Sequence, residues 1–472
     1  MTKDPVTSLA LVQWLRQNRA EITARRGPFL PARVNLRLLR FLVGAAWKML
    51  RGRRAAERVP ERAVQQGEAM LQELRAQSRG RETLDERLAF IRQTIGQVFI
   101  GGFEIVFHAA ASSTYMARAA KLLAPSGIDP GELAAVERAV PHSVTTEMGM
   151  QLLNMARQLD AEGCHATADS AEMRDFLAKY GHRNTIELDV GIPSWNEDPR
   201  YVVDLINSYL ANGTYREGLQ RFAQAQQEAE AAIPQLADRL ARAGYGRRAK
   251  KLARLLRDFR AMFGVRELSK FYLRHALSLY REQILAVGAE LAACGRLNDP
   301  KDVFFLTLAD LASTTDLKIT AHRNREAFRR DELRNAPRLI ASTGESLYTA
   351  AAETESRGLQ GIPVSPGAHE GTVKILEHPE EGNRLEEGDV LVTAGTNPAW
   401  TPLFLKLGAL IMETGGPISH GSVVAREYGL PAVAGVAEAT QRLREGQRVR
   451  VNGQTGRVDL LDNPDPTLSP SD

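Results

Sequence analysis

The chain has 472 residues, 43% of them hydrophobic, 6% aromatic and 25% charged, with a formal net charge of +4. That length predicts two or three domains, and the longest apolar run near the N-terminus, Phe41 to Trp47, stops at Lys48, far short of a membrane span. Asp4 and Pro5 precede only a short apolar stretch, unlike a secretion signal. Cys164 and Cys294 stand in no metal or redox spacing, which predicts a reducing, cytoplasmic setting and two small apolar packers.

Residues 1–62 carry Arg or Lys at fourteen positions against Asp4, Glu21, Glu57 and Glu61. Leu36, Leu38, Leu39, Phe41, Leu42, Ala46 and Trp47 among those arginines predict an amphipathic helix. Packing of its apolar face on the following helices is the simplest reading; a membrane surface or a partner protein is the other. Nucleic acid is disfavoured, because no binding module follows the basic region.

From about residue 60 to residue 345 the spacing of Leu, Ile, Phe and Ala predicts helix after helix. The segments are Arg87 to Arg92, Met148 to Ala156, Tyr201 to Leu210, Leu219 to Ala231, Arg247 to Phe263, Leu268 to Ala293 and Asp302 to Leu311. The Gln-, Ala- and Glu-rich Leu219–Ala232 reads as an exposed helix, and Pro234, Pro300 and Pro337 are expected at helix boundaries. Two polar clusters interrupt the apolar pattern: His182, Arg183 and Glu187, and Arg266 with Lys270 four residues on. Arg offers a planar fork of donors and Lys a point charge, so either cluster can hold a phosphate or a polar substrate. Ion pairs tying helices together explain the same spacing.

After a polar connector at 346–361, short β-runs are predicted at Gly371–Leu376, Asp389–Thr393, Ala409–Met412, Arg448–Asn452 and Gly456–Leu460. Short helices fit between them at Thr401–Leu407, Gly421–Tyr428 and Ala437–Leu443. Within this region Thr414-Gly415-Gly416-Pro417-Ile418-Ser419-His420 places one histidine where a helix begins. Ser419 is a good cap and Gly429 with Pro431 a strong stop. Free N–H groups and the positive end of the helix dipole would stabilise an anion on the imidazole, and Gly415 and Gly416 let the backbone approach a bulky donor. His420 is thus the candidate phosphoryl carrier, with Gly415, Gly416, Ser419, Gly421 and Arg426 as candidate contacts of the phosphoryl group. For Arg426 an ion pair with Glu427 or another carboxylate is the competing reading.

This motif resembles the active-site signature of the phosphohistidine, or swivelling, domain of PEP-utilising enzymes, among them PEP synthase and rifampicin phosphotransferase. The likeness runs on through Leu430–Val436, Gly446–Gly453 and Gly456–Val458, and upstream through Asn397–Phe404. The clusters around His182, Arg183 and Glu187 and around Arg266 and Lys270 are similar to the helical substrate domain of the same family. The resemblance implies a multidomain protein: a large all-α substrate-binding domain followed by a small α/β (β/β/α) swivelling phosphohistidine domain. The implied division is a basic helical region at 1–84, a substrate-binding domain at 85–345, a linker at 346–361 and the swivelling domain at 362–472.

The departure from the family matters as much. No Gly-rich phosphate loop and no carboxylate pair suited to two Mg²⁺ ions is evident, and the first 85 residues are too few and too basic for an ATP-grasp domain. ATP and Mg²⁺ are therefore expected through a separate ATP-grasp partner of the PEP/pyruvate-binding type, with no cofactor or metal held by this chain. The implied function is a subunit of a dikinase-type phosphotransferase: His420 receives the β-phosphate of ATP and passes it to a hydroxylated or aromatic small molecule in the helical domain. A phosphocarrier that serves a protein acceptor, and a binding module that has lost its chemistry, are the alternatives from other classes. Gly421 stands where many relatives have alanine, which is expected to loosen the helix start.

Overall fold

A computed structural model of the chain describes residues 56–313, 315–332, 339–340, 346–347, 358–417 and 419–461. The basic stretch at 1–55, most of the connector and Pro337 lie outside the described residues. Among the described residues, no helix is long and apolar enough to cross a membrane.

The N-terminal part is helical. Helix α1 (Val59–Ser78) is followed by α2 (Leu84–Leu123), opened by a Thr83/Glu86 capping box and closed before Pro125. The periodicity around Arg87–Arg92 was therefore one piece of a 40-residue helix. Next come α3 (Val144–Glu162), α4 (Ala171–Tyr180), α5 (Arg200–Asn212), α6 (Thr214–Arg242) and α7 (Gly246–Phe263). Helix α8 (Leu268–Ala293) is buried on most sides, as a helix at the centre of a bundle must be. Helices α9 (Leu308–Leu311) and α10 (Leu317–Glu332) complete this part.

Four expectations need correction here. Pro234 lies inside α6, not at its edge; Ile233, Leu236 and Leu240 are buried around it, so tertiary packing holds the helix through the missing N–H. Leu219–Ala232 is not simply exposed, because Ala225 and Ala229 are buried. Asp302–Leu311 is no single helix: a 3₁₀ turn at Pro300–Phe305 ends before Thr307, whose side chain caps a fresh start at α9. Cys164 and Cys294 are exposed rather than packed.

The C-terminal part holds one eight-stranded sheet in the order β3-β10-β9-β5-β6-β7-β8-β4. The strands are β3 (Gly358–Gln360), β4 (Ile362–Ser365), β5 (Ala368–Ile375), β6 (Asp389–Thr393), β7 (Leu407–Met412), β8 (Ala432–Ala434), β9 (Arg448–Asn452) and β10 (Arg457–Leu460). Two short strands, β1 (Leu339–Ile340) and β2 (Ser346–Leu347), pair with each other outside it. Strands β5, β6, β7 and β8 run parallel, while the flanking pairs are antiparallel. Strands β6 and β7 are almost wholly buried, the pattern of a sheet covered on both faces. One face carries α11 (His420–Tyr428) and a 3₁₀ segment, Pro398–Leu405, where a helix at Thr401–Leu407 was expected. Pro398 and Pro402 explain the tighter winding. The short α12 (Ala439–Arg442) completes the unit.

All eight residues of the Pro398–Leu405 segment are buried, and it is the surface on which the two parts meet. Tyr201 and Tyr209 of α5 donate their hydroxyls to the carbonyls of Ala399 (2.7 Å) and Pro402 (2.6 Å). The Lys406 ammonium donates to Ser208 Oγ at 2.6 Å, and Asn397 Nδ2 to the Thr185 carbonyl at 2.6 Å. Trp400, Leu403, Phe404 and Leu405 share one apolar cluster with Leu153, Leu205 and Tyr209, so a single core runs across the junction.

Candidate active site

His420 stands at the first turn of α11, just past the carboxyl end of β7, the position where parallel sheets of this kind receive ligands. The turn before it is shaped by Gly415, whose φ of +117° strongly favours glycine, and by the Ser419 N–H donating to the Gly416 carbonyl at 2.9 Å. Ser419 holds the cap position with extended backbone, yet its hydroxyl pairs with Ser422 Oγ at 2.9 Å instead of capping a backbone N–H. Gly421 does not loosen the helix start. A Cβ there would lie 2.2 Å from Thr396 Oγ1 and 2.7 Å from Met412 Sδ, so glycine lets α11 sit tightly against the end of β7.

The imidazole is buried, not exposed as a free helix start would leave it. Its Nε2 is 3.0 Å from Thr401 Oγ1, within the same domain. Its Nδ1 faces the helical domain, 3.6 Å from Oε2 of the buried Glu267, and neither of these two atoms has a hydrogen-bond partner among the described residues. Burial by itself raises the Glu267 pKa; contact with the His420 ring, with Lys270 and Arg266 nearby, overrides it and holds the carboxyl well below the usual carboxylate range. An ionised carboxylate can only accept, so it selects the tautomer with hydrogen on Nδ1. Nε2 then keeps its lone pair and accepts from Thr401.

A second carboxylate locks the arrangement. Glu427, fully buried on α11, accepts from Thr146 Oγ1 at 2.6 Å and lies 2.9 Å from Arg266 Nη2. Its backbone carbonyl accepts from the Ala139 N–H at 3.2 Å. Ala139 and His142 both have positive φ, and the Arg260 guanidinium fixes this loop by donating to the carbonyls of Val136, Arg138 and Ala139.

The residues expected at the site fall into four groups. Gly415, Gly416, Ser419 and Gly421 surround His420 as described. Arg426 is committed elsewhere: its Nη atoms donate to the carbonyls of Val364 and Pro417, and its Nε is 2.6 Å from Glu137 Oε2. It braces the glycine turn and ties α11 to the helical domain, so the competing ion-pair reading holds, with Glu137 as the carboxylate. Arg266 lies at the site and Lys270, though exposed, contributes its charge there. His182, Arg183 and Glu187 lie further along α8, against Phe271 and His275. Glu267, Thr401 and Glu427 were missed. Glu267 sits between the two chosen cations, but a search for phosphate-binding charge passes over a carboxylate.

Residues 385–456 match the mobile domain of PEP-utilising enzymes, and residues 105–267 the fourth domain of rifampicin phosphotransferase. The chain carries a mobile domain of the PEP-utilising enzyme family. The mobile-domain match spans His420, and the helical match ends at Glu267, so the two faces of the site come from the two matched regions. Rifampicin phosphotransferase of Bacillus cereus is 33% identical over 356 residues, covering 69% of this chain and 41% of the relative. The Bacillus subtilis enzyme is 33% identical over 358 residues, with the same coverage, and that of Streptomyces sviceus 34% over 351 residues, covering 68% and 40%. The chain thus spans about two fifths of the length of these curated relatives. Among solved structures, a chain of aconitase X from Thermococcus kodakaraensis aligns over 23% of this chain and all of that one, at 21% identity and a TM-score of 0.19, too low to carry weight.

Proposed function

We propose that His420 carries a phosphoryl group from a donor site on a separate ATP-grasp partner to a small-molecule hydroxyl bound in the helical domain. The observation that carries this reading is the placement of the His420 ring at a helix N-terminus while it faces the buried Glu267 of the other domain. The mobile domain undocks to be charged. Nε2 attacks the β-phosphorus of ATP, and the N–P bond forms as the bond from that phosphorus to the AMP oxygen breaks; water then takes the γ-phosphoryl group as inorganic phosphate, leaving the β-phosphoryl group on Nε2. The N–H groups of the first turn of α11 and the Thr401 hydroxyl stabilise the oxygens of the phosphoramidate.

On redocking, the ring returns beside Glu267 and turns about its side-chain bonds so that the phosphoryl group on Nε2, in place of Nδ1, faces that carboxylate. Glu267 is held ionised by its neighbours, Lys270 and Arg266 among them, and so is able to accept a proton. Glu267 takes the acceptor hydroxyl proton, the hydroxyl oxygen bonds to phosphorus, and the N–P electron pair returns to Nε2. Arg266 and Lys270 offset the charge of the transferred group. Burial of His420 against its own chain favours an acceptor bound within the protein over a second protein, which would have to displace the helical domain.

The test is incubation with ATP labelled at the β- or the γ-phosphate, with and without an ATP-grasp protein, followed by a search for acid-labile label on His420. Label from the β-position, with the partner present and lost in His420→Ala, is the expected result. Label that persists in His420→Ala overturns the assignment.

A further inference from the structure

Between α1, the start of α3, the end of α4 and the first turns of α8 lies a cleft of about 680 Å³. Leu268, Phe271 and Tyr272 are buried on its wall, and Arg75 and His275 line its half-buried part. The acids that line it, Glu61, Glu68 and Glu147, are exposed and sit at the mouth.

Arg75 Nη2 lies 2.6 Å from His275 Nε2. A guanidinium only donates, so Nε2 accepts and the ring proton sits on Nδ1. That Nδ1–H is buried and has no acceptor among the described residues. The His182 ring stacks on His275, with centroids 4.3 Å apart and 9° between planes, and its Nε2 is also without a partner. Arg183 Nη1 holds Glu187 at 2.5 Å, yet its Nε has no acceptor.

Arg274 is the sharpest case. It is fully buried, and none of its three guanidinium nitrogens has a hydrogen-bond partner among the described residues. Of the carboxylates its charge reaches, Glu187 is bound to Arg183, Glu197 to Arg281, and Asp189 accepts from the Gly191 N–H. The charge of Arg274 is in turn felt at both stacked imidazoles. Buried guanidinium groups are ordinarily paired, because an uncompensated one is costly. The orphaned arginine and His275 atoms are all donors, so what is missing is an acceptor, and the positive charges of Arg75 and Arg274 beside it favour an anion. The exposed acids at the mouth oppose more than a single negative charge, which selects a carboxylate over a phosphate.

We propose that this cleft binds an aromatic carboxylic acid, its ring against Phe271 and Leu268 and its carboxylate accepting from His275 Nδ1–H and Arg75 in the field of Arg274. The inference concerns binding alone and stands whether or not His420 transfers a phosphoryl group. It is tested by calorimetric titration of the full chain with 4-hydroxybenzoate, 2-naphthoate and the matching amides. The acids are expected to bind saturably, and each amide about tenfold or more weaker. Arg75→Gln is expected to weaken acid binding about tenfold, and Val64→Trp, on an exposed part of the cleft lining and tolerable to the fold, to abolish it. Failure of both acids to saturate up to about 10 mM overturns the proposal. So does equal binding of acid and amide, or wild-type affinity in folded Arg75→Gln or Val64→Trp.

Discussion

His420 Nδ1 and Glu267 Oε2 face each other across the junction of the two domains at 3.6 Å, buried and, among the described residues, without hydrogen-bond partners. The gap is slightly too long for a hydrogen bond, so a small shift of either domain makes or breaks it. Glu267→Gln keeps the volume of the side chain but removes the base. Labelling of His420 from a donor is expected to stay near the wild-type rate, while transfer to an acceptor falls by about a hundredfold or more. Single-turnover chase of labelled protein separates the two steps, and equal loss of both would remove Glu267 from the transfer step.

The Arg266–Glu427 pair joins a residue just before α8 to a carboxylate with no exposed surface on α11. Removing Arg266 alone leaves that carboxylate buried and uncompensated, at a cost of about 3–5 kcal/mol to the docked state. Arg266→Met is therefore expected to open the domains, read as faster proteolysis at 346–361 and an increased radius in X-ray scattering. The double variant Arg266→Met/Glu427→Gln should recover much of the compact form, because the stranded charge is gone. Additive effects in the cycle would mean that the pair does not couple docking.

Gly421 is seated against Thr396 and Met412, where a Cβ would approach to 2.2 Å and 2.7 Å. Gly421→Ala must push α11 away from the end of β7 or turn the Thr396 hydroxyl aside. Reduced labelling of His420 with little change in melting temperature is the expected outcome, since the threonine tip can move but the helix start is displaced. Full labelling would show that the local backbone absorbs the methyl group.

The placement of His420 at a helix start was legible because its local signals are contiguous: two glycines, a serine at the cap position and the helix start within seven residues. The parallel strands around it were legible for a related reason, since buried strands such as Asp389–Thr393 read as short apolar runs between turn signals. Glu267, Thr401 and Glu427 were not legible, because what makes them matter is burial against residues more than a hundred positions away or on a neighbouring 3₁₀ turn. The same holds for Arg426, whose partners come from β4, the glycine turn and Glu137. His182 and Arg183 were recognisable as a polar cluster, but only the course of α8 shows that they lie along the helix from Glu267 and not beside the histidine.

His275 supplies a pH dependence with a definite sign. Burial, then the charges of Arg75 and Arg274, push its pKa from an ordinary 6.5 down to about 4, and the stacked His182 is likewise held well below its ordinary value. As the pH falls through 6.5 the unfolded chain takes up protons that the folded chain refuses, so stability falls with pH. The contribution is full above pH 6.5 and lost progressively down to about pH 4. Glu267 acts in a lower window: its depressed pKa stabilises the fold above the ordinary 4.5, and that contribution is lost only below it. Melting temperatures should therefore decline between pH 7 and 5, above the window in which Glu267 acts, and His275→Gln should flatten that decline. A wild-type melting temperature constant over this range would mean that the two imidazoles titrate normally in the folded protein.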